Sequence, residues 1–269
     1  MLKKLEYTRF PLRLGQDVFE LGYISDYQME RFLKLMQAFS LFTELYEVSD
    51  RMACATSAMR EAANGQELAD ETLSLTGLRI DIIQGEQEAA LIARALESLI
   101  DDHNYLHIDV GGGSTELNLY SERELLASAS FKSGSVRNSL RPGEARGQME
   151  EWIKKNVLKK HHPITAIGTG GNIGKLYELG VTGSRKSRKI GYSDLLAVKE
   201  AVESMDTEAR IHELMLNPDR ADTIVPAGNI YLGVMKMSGI KTIMVPDLGL
   251  KDGILQTLLH RNLHKLPEL

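Results

Sequence analysis

Three consecutive glycines, Gly111 to Gly113, sit between two apolar-rich alternating runs, Tyr105–Val110 (YLHIDV) and Glu116–Tyr120 (ELNLY). Alternation with a period of two marks strands. The glycines therefore make a hairpin, not a strand-to-helix loop, and this fixes two antiparallel neighbours. Glycine permits positive φ and leaves backbone N–H groups unshielded. A concave array of such donors holds a phosphate. Ser114 and Thr115 can add hydroxyl donors. Asp109 and Glu116 flank the turn, and hard carboxylate oxygens suit Mg²⁺. GxxxxGK[ST] is absent, so this is not a Walker loop. The bland alternative is a tight turn with incidental acids beside it.

The rest of the chain alternates strands with helices, which reads as α/β. Leu5–Leu14 reads as a strand, with Pro11 marking an edge position or a bend. Ser25 caps a helix over Tyr27–Leu45. Arg51–Ala55 and Arg79–Ile83 are short strands, with a helix between them interrupted near Gly65 and closed by Gly77. Gly85–Ile100 is a helix. Glu124–Phe131, Ile164–Gly168 and Lys241–Pro246 read as strands. Gly143–Lys160, a segment from Ile173, Ser193 to Met205, Asp219–Gly239 and Gly249–Leu263 read as helices. At ~150 residues per domain, 269 residues make nearly two domains. The boundary is placed at 123/124, giving domains 1–123 and 124–269.

A second loop, Gly168-Thr169-Gly170-Gly171-Asn172, follows one strand and opens a helix, where free N–H groups attract anions. Counted from Gly168, the sixth position of a GxGxxG is Ile173, so the dinucleotide fingerprint fails. Two Gly/Thr loops, one per half, can face each other across a cleft. On the helix from Gly85, at 100° per residue, Glu88 shares a stripe with Leu91, Ile92, Ala95, Leu96 and Leu99, and Glu86 points away. A carboxylate so placed can act as a general base for water; it can equally just stabilise the helix N-terminus. Arg60 follows a strand and turn, and arginine suits bidentate phosphate contact; a plain surface arginine is the alternative.

Composition excludes several classes. Thirty-two Lys+Arg against 37 Asp+Glu gives −5, which disfavours a dedicated nucleic-acid binder. No apolar run nears the ~18–20 residues that cross a bilayer. The single cysteine, Cys54, forms no intramolecular disulfide and suits a reducing cytoplasm. The basic run Gly183–Lys189 reads as a solvated connection, and His161–His162 as a helix end.

These segments resemble the exopolyphosphatase/guanosine pentaphosphate phosphohydrolase family, of actin-like, sugar-kinase-like fold. The likeness is carried by ATSAMREAANG (55–65), IIQGEQEA (82–89), IDVGGGSTEL (108–117), SGSVR (133–137), AIGTGGNI (166–173), RADTIVPAG (220–228) and DLGLKDGIL (247–255). The resemblance implies two ribonuclease-H-like domains with the site in the cleft between them. It implies Glu88 as catalytic base and Arg60 as a phosphate contact. The phosphate loops would be Gly111, Gly112, Gly113, Ser114 and Thr115, and Gly168, Thr169, Gly170, Gly171 and Asn172. Asp109 and Glu116 would hold Mg²⁺. Family members open with a strand and a first phosphate loop of the type Asp-x-Gly-Ser-Asn-Ser, which no segment here matches. The first domain is therefore expected to lack a central strand and one wall of the cradle, and to lean on a partner, a homodimer being one form.

The expected function is metal-assisted release of terminal phosphate from polyphosphate or guanosine pentaphosphate in the cytoplasm, with no nucleic-acid or membrane partner. The alternatives are a catalytically impaired nucleotide- or polyphosphate-binding regulator, and an actin-like ATPase or sugar kinase.

Overall fold

The computed structural model describes residues 5–140, 145–158, 163–180 and 188–263. The first lobe runs α1 (Leu14–Leu21), α2 (Asp26–Leu45), β1 (Ala53–Ala55), α3 (Ser57–Glu61), α4 (Gly65–Thr76) and β2 (Ile80–Ile82). Then follow α5 (Gly85–Leu96), β3 (Asn104–Val110), β4 (Thr115–Ser121), β5 (Glu124–Phe131), α6 (Ser135–Leu140) and α7 (Arg146–Asn156). The chain continues through β6 (Ile164–Thr169), α8 (Gly171–Gly180), β7 (Lys189–Gly191), α9 (Tyr192–Glu203) and α10 (Thr207–His212). It finishes with α11 (Pro218–Ala221), α12 (Ile224–Ser238), β8 (Thr242–Met244) and α13 (Leu250–Asn262).

Six strands form one sheet in the order β5-β4-β3-β6-β8-β7. β3, β4 and β5 are an antiparallel meander; β6 and β8 run parallel to β3, and β7 closes the edge antiparallel. This is the ribonuclease-H-like arrangement. Because strand side chains alternate, each face has its own cover. Leu106, Ile108, Val110 and Leu117 pack with Met149 and Ile153 of α7 and with Tyr231 of α12. Tyr105, Tyr120 and Ile167, on the other face, pack with Ile92 and Leu96 of α5, and Leu250 of α13 joins them.

β1 and β2 pair in parallel as a separate two-stranded sheet. Cavities of about 750 and 660 Å³ flank it, lined in part by Met52, Ile80 and Arg79. The core of this lobe gathers Leu12, Phe19, Ile24, Phe32, Met59 and Leu68.

Four expectations change. Leu5–Leu14 is no strand: residues 5–13 run outside any ladder, and α1 starts at Leu14. Leu5, Tyr7 and Phe10 stay exposed, and Leu12 alone of the alternating set is buried. The segment is instead strapped to the second half by ion pairs, Arg9 to Asp219 and Arg13 to Asp222. The 123/124 division falls in the turn joining β4 to β5, two paired strands of one sheet; the sheets part between β2 and β3. The N-cap of α9 is Gly191, not Ser193, because β7 runs directly into the helix. α8 begins at Gly171, two residues before the expected start. His161–His162 and most of Gly183–Lys189 lie outside the described residues.

Candidate active site

The hairpin holds its shape through close approach rather than positive φ. None of Gly111, Gly112 and Gly113 is among the positive-φ glycines. A Cβ on Gly113 would lie 2.2 Å from the Phe19 ring and 2.8 Å from Ser57 Oγ, so only glycine lets the first lobe seat against the turn. The carbonyls of the turn are taken by the start of α6: Ser135 N–H donates to Gly111 O, and Val136 and Arg137 N–H donate to Gly112 O. Gly111 N–H donates to Ser114 O at 3.0 Å. The amides of Gly112 and Gly113 have no acceptor among the described residues, and they are the donors that the turn can offer to an anion. Buried Arg137 clamps the assembly. Its Nε donates to Gly113 O and its Nη2 to the Glu61 carboxylate, each at 2.8 Å, and it stacks 4.1 Å from the Phe19 ring centroid.

Register places Asp109 directly opposite Glu116, and Glu116 opposite Ser130, while Asp109 pairs with Thr169 across β6. These four share the face under α5. Glu88, in the first turn of α5, is buried on the expected stripe with Leu91, Ile92, Ala95 and Leu96, and Glu86 is exposed. Leu99 is only half-buried. Glu88 Oε2 is buried and lacks a hydrogen-bond partner. Arg60 Nη1 donates to Ile83 O at 2.7 Å and lies 3.7 Å from that same Oε2. Arg60, expected as a phosphate contact, thus comes to the site bound to its frame and beside Glu88.

The hydroxyls depart from expectation. Thr115 Oγ1 donates to Ser133 O, and Ser114 is buried beside the Glu116 carboxylate, whose pKa it lowers against the effect of burial. Thr169 is buried with its Oγ1 2.8 Å from His107 Nε2, and Asn172 Nδ2 donates to Thr223 O at 3.4 Å. All four side chains serve the fold, so the loops present backbone donors. In the second loop Gly170 has φ +110, a region that favours glycine, and a Cβ there would sit 3.3 Å from Asp109 Oδ1. Gly168 is needed where Ile243 packs, 2.7 Å from its missing Cβ. The first helical bond of α8 is Gly174 N–H to Gly170 O, so the amides ahead of it have no helical acceptor among the described residues. Arg220 completes this wall: its Nη2 would meet a Cβ on Gly171 at 2.7 Å, and no described carboxylate forms an ion pair with it. Arg220 lies in the segment RADTIVPAG, where no local pattern assigns it a role. Only the fold brings α11 over α8.

Charge is concentrated here. Burial above all, then Glu116 and Asp109, push Glu88 up to about 7. Burial and Glu116 push Asp109 up to about 7, and burial also raises Glu116. Asp109 and Glu116 are a paired set of hard oxygens in a polar row, which fits a Mg²⁺ that takes one or two carboxylates and fills the rest with water and phosphate. Among the described residues no three such ligands converge on one point, so the fit is for that sparse kind of site. Cys54 is half-buried, and burial raises its thiol pKa, which opposes a nucleophilic role.

A pH dependence follows. In an unfolded chain these acids ionise near ~4. In the fold Asp109 and Glu88 keep their protons to about 7. The folded state then holds more protons than the unfolded one. Its stabilisation is full below ~4 and is lost as pH rises to about 7. A divalent cation prefers the ionised pair. Thermal unfolding should show a Tm that falls between pH ~5 and ~8, with Mg²⁺ restoring it at ~8 and not at ~5, and an Asp109→Asn variant should lose most of that response. A wild-type Tm indifferent to Mg²⁺ at the higher pH contradicts the cation reading.

No helix among the described residues is long and apolar enough to cross a membrane. Comparison with known proteins agrees with the geometry. The chain is 22% identical over 269 residues to exopolyphosphatase 1 of Mycobacterium leprae, covering 92% of this chain and 79% of that protein. It is 26% identical to the guanosine-5'-triphosphate,3'-diphosphate pyrophosphatase of Aeromonas hydrophila, covering 87% of this chain and half of that longer protein. The crystal structure of an exopolyphosphatase from Cytophaga hutchinsonii superposes with a TM-score of 0.79 at 24% identity, over 93% of this chain and 88% of that one. An Aquifex aeolicus Ppx/GppA structure gives 0.71 at 24% identity, over 93% and 88%. These likenesses show a shared actin-like fold. The model of the Ppx/GppA phosphatase family matches residues 2–262, and the chain belongs to that family.

Proposed function

We propose that this chain hydrolyses the terminal phosphoanhydride of inorganic polyphosphate or guanosine pentaphosphate. The observation that carries the reading is Glu88 Oε2, buried, without a hydrogen-bond partner, and on the face that bears Asp109 and Glu116. Such an acid, poised near 7, can hold a water and take its proton near neutral pH. As the proton passes to Glu88, the water oxygen bonds the terminal phosphorus. The bridging P–O bond breaks, and a chain shorter by one phosphate departs with the electron pair. The amides of Gly112 and Gly113, the α8 N-terminus and Arg220 supply positive potential to the phosphate oxygens. Asp109 and Glu116 would hold Mg²⁺, which when bound offsets charge on the phosphates. Arg60 keeps Glu88 in place and lends its charge to the same region. Phosphoryl transfer depends on positioning and electrostatics, and this set provides both.

The test is phosphate release from polyphosphate, guanosine pentaphosphate and ATP, measured side by side with Mg²⁺. Release from either of the first two in excess of ATP is the expected result. Binding without release selects a regulator, and ATP consumption that requires a sugar selects a kinase.

A further inference from the structure

Arg220 stands at the N-terminus of α8 with its guanidinium unclaimed. It is half-buried, and none of its side-chain N–H groups meets an acceptor among the described residues. Its surroundings make that unusual. α11 reads Pro218-Asp219-Arg220-Ala221, and Asp222 follows, so acids lie close on both sides of the arginine in the chain. Burial lowers the Arg220 pKa and the charge of Arg9 lowers it further, against the opposing pull of Asp219 and Glu178. Each of these acids is held by another cation. Arg9 Nη1 donates to Asp219 Oδ1 at 3.2 Å, and Arg9 Nη2 donates to Asp219 Oδ2. Arg13 Nη2 donates to Asp222, and Lys175 lies 3.5 Å from Glu178.

α11 does not need Arg9 to hold its place. Ala221 is fully buried, Arg210 Nη1 donates to Ala221 O at 2.8 Å, and Thr223 Oγ1 donates to Asp219 O at 3.0 Å. All of these contacts come from the second half of the chain. What Arg9 adds is a counter-charge, delivered by the segment that leads into α1 of the first lobe. The Asp219 side chain is only 11% exposed, so without Arg9 its charge would need a new partner. Arg220 is the cation next to it in the chain.

We propose that Arg9 is a positioning residue for phosphate binding: reaching over from the first lobe, it occupies Asp219 and so leaves the Arg220 guanidinium free to take phosphate oxygens at the α8 N-terminus. Arg13 does the same for Asp222. The proposal rests on the phosphate role given to Arg220 above. It makes the charge of the second loop depend on a segment of the other lobe.

The test is affinity for inorganic tripolyphosphate with Mg²⁺, measured by calorimetry in a Glu88→Gln background so that turnover does not intervene. Arg9→Gln should weaken binding by ~10-fold, the scale of one hydrogen bond to a charged group. Its Tm should stay near that of the parent, since Asp219 exchanges one cation for another. Asp219→Asn added to Arg9→Gln should restore the parental affinity, although the segment stays untied from α11. A contact that only holds the lobes together gives the opposite result, a double variant as weak as Arg9→Gln, and that overturns the proposal. So does an Arg9→Gln that unfolds early and is not rescued by Asp219→Asn. Arg220→Gln checks the reading beneath and should bind at least as weakly as Arg9→Gln. A weak Arg220→Gln beside an unaffected Arg9→Gln overturns the proposal alone. Parental affinity in Arg220→Gln, or a parent that binds no tripolyphosphate, overturns the phosphate role of Arg220 and the proposal with it.

Discussion

Glu88→Gln should lower kcat for phosphate release by ~10²–10⁴ while the protein stays folded, with a Tm at or above that of wild type. Both halves of that expectation come from the same geometry. Glu88 is 8% exposed, its Oε2 lacks a hydrogen-bond partner, and Glu116 and Asp109 oppose its ionisation. An acid kept in so unfavourable a place costs stability, and a neutral amide of the same shape relieves the repulsion. The amide also cannot take a proton from water. Steady-state release assays and calorimetry on the same preparation check both. Near wild-type turnover from the folded variant would remove Glu88 as the base. A large drop in Tm would mean that the Arg60–Glu88 contact at 3.7 Å is mainly structural.

Gly134→Ala should disrupt the packing of the glycine hairpin severely. A Cβ there would lie 2.4 Å from both the carbonyl carbon and the oxygen of Gly112 and 2.5 Å from Gly113 N. These are backbone atoms, so no rotamer change relieves the clash. The turn must move away from α6, and the bonds from Ser135, Val136 and Arg137 to the hairpin carbonyls must lengthen or break. A loss of ~3 kcal/mol in denaturant unfolding is expected, at the upper end of overpacking costs. Turnover should fall along with it, because the amides of Gly112 and Gly113 move with the turn. Gly147→Ala, where a Cβ meets nothing within 4 Å, is the control and should change neither. A Gly134→Ala protein of normal stability would show that α6 does not fix the hairpin.

What could be read from the sequence was what local periodicity encodes. The β3–β4 hairpin came from alternation on either side of Gly111–Gly113, and the inward turn of Glu88 came from its angle to Leu91 and Leu96. The fate of the hydroxyls was not legible. Thr115 and Thr169 carry the residue type that a phosphate loop uses, but their partners, Ser133 and His107, are set by strand order and register. The reason for the glycines was also hidden. Gly113 is required by Phe19, far away in sequence, and no positive φ is involved. Residues 5–13 alternate like a strand, but no neighbour offers a ladder. Pro11 lacks an N–H, and Arg13 turns left-handed at φ 61, so the chain is pinned by Arg9 and Arg13 instead. Arg220 lies in RADTIVPAG, but its place over Gly171 depends on how α11 meets α8.

The most direct measurement is the pH dependence of kcat for Mg²⁺-supported phosphate release, in wild type and in Glu88→Asp. A buried base held at about 7 gives a wild-type kcat that rises tenfold per pH unit on the acid side and levels off above about 7. The shorter carboxyl of the aspartate variant, drawn back from the site, should keep an acid limb but lose most of the plateau. A wild-type kcat that is flat from pH ~5 to ~8, a window in which a base of this pKa must change its protonation state, would contradict the account at its centre.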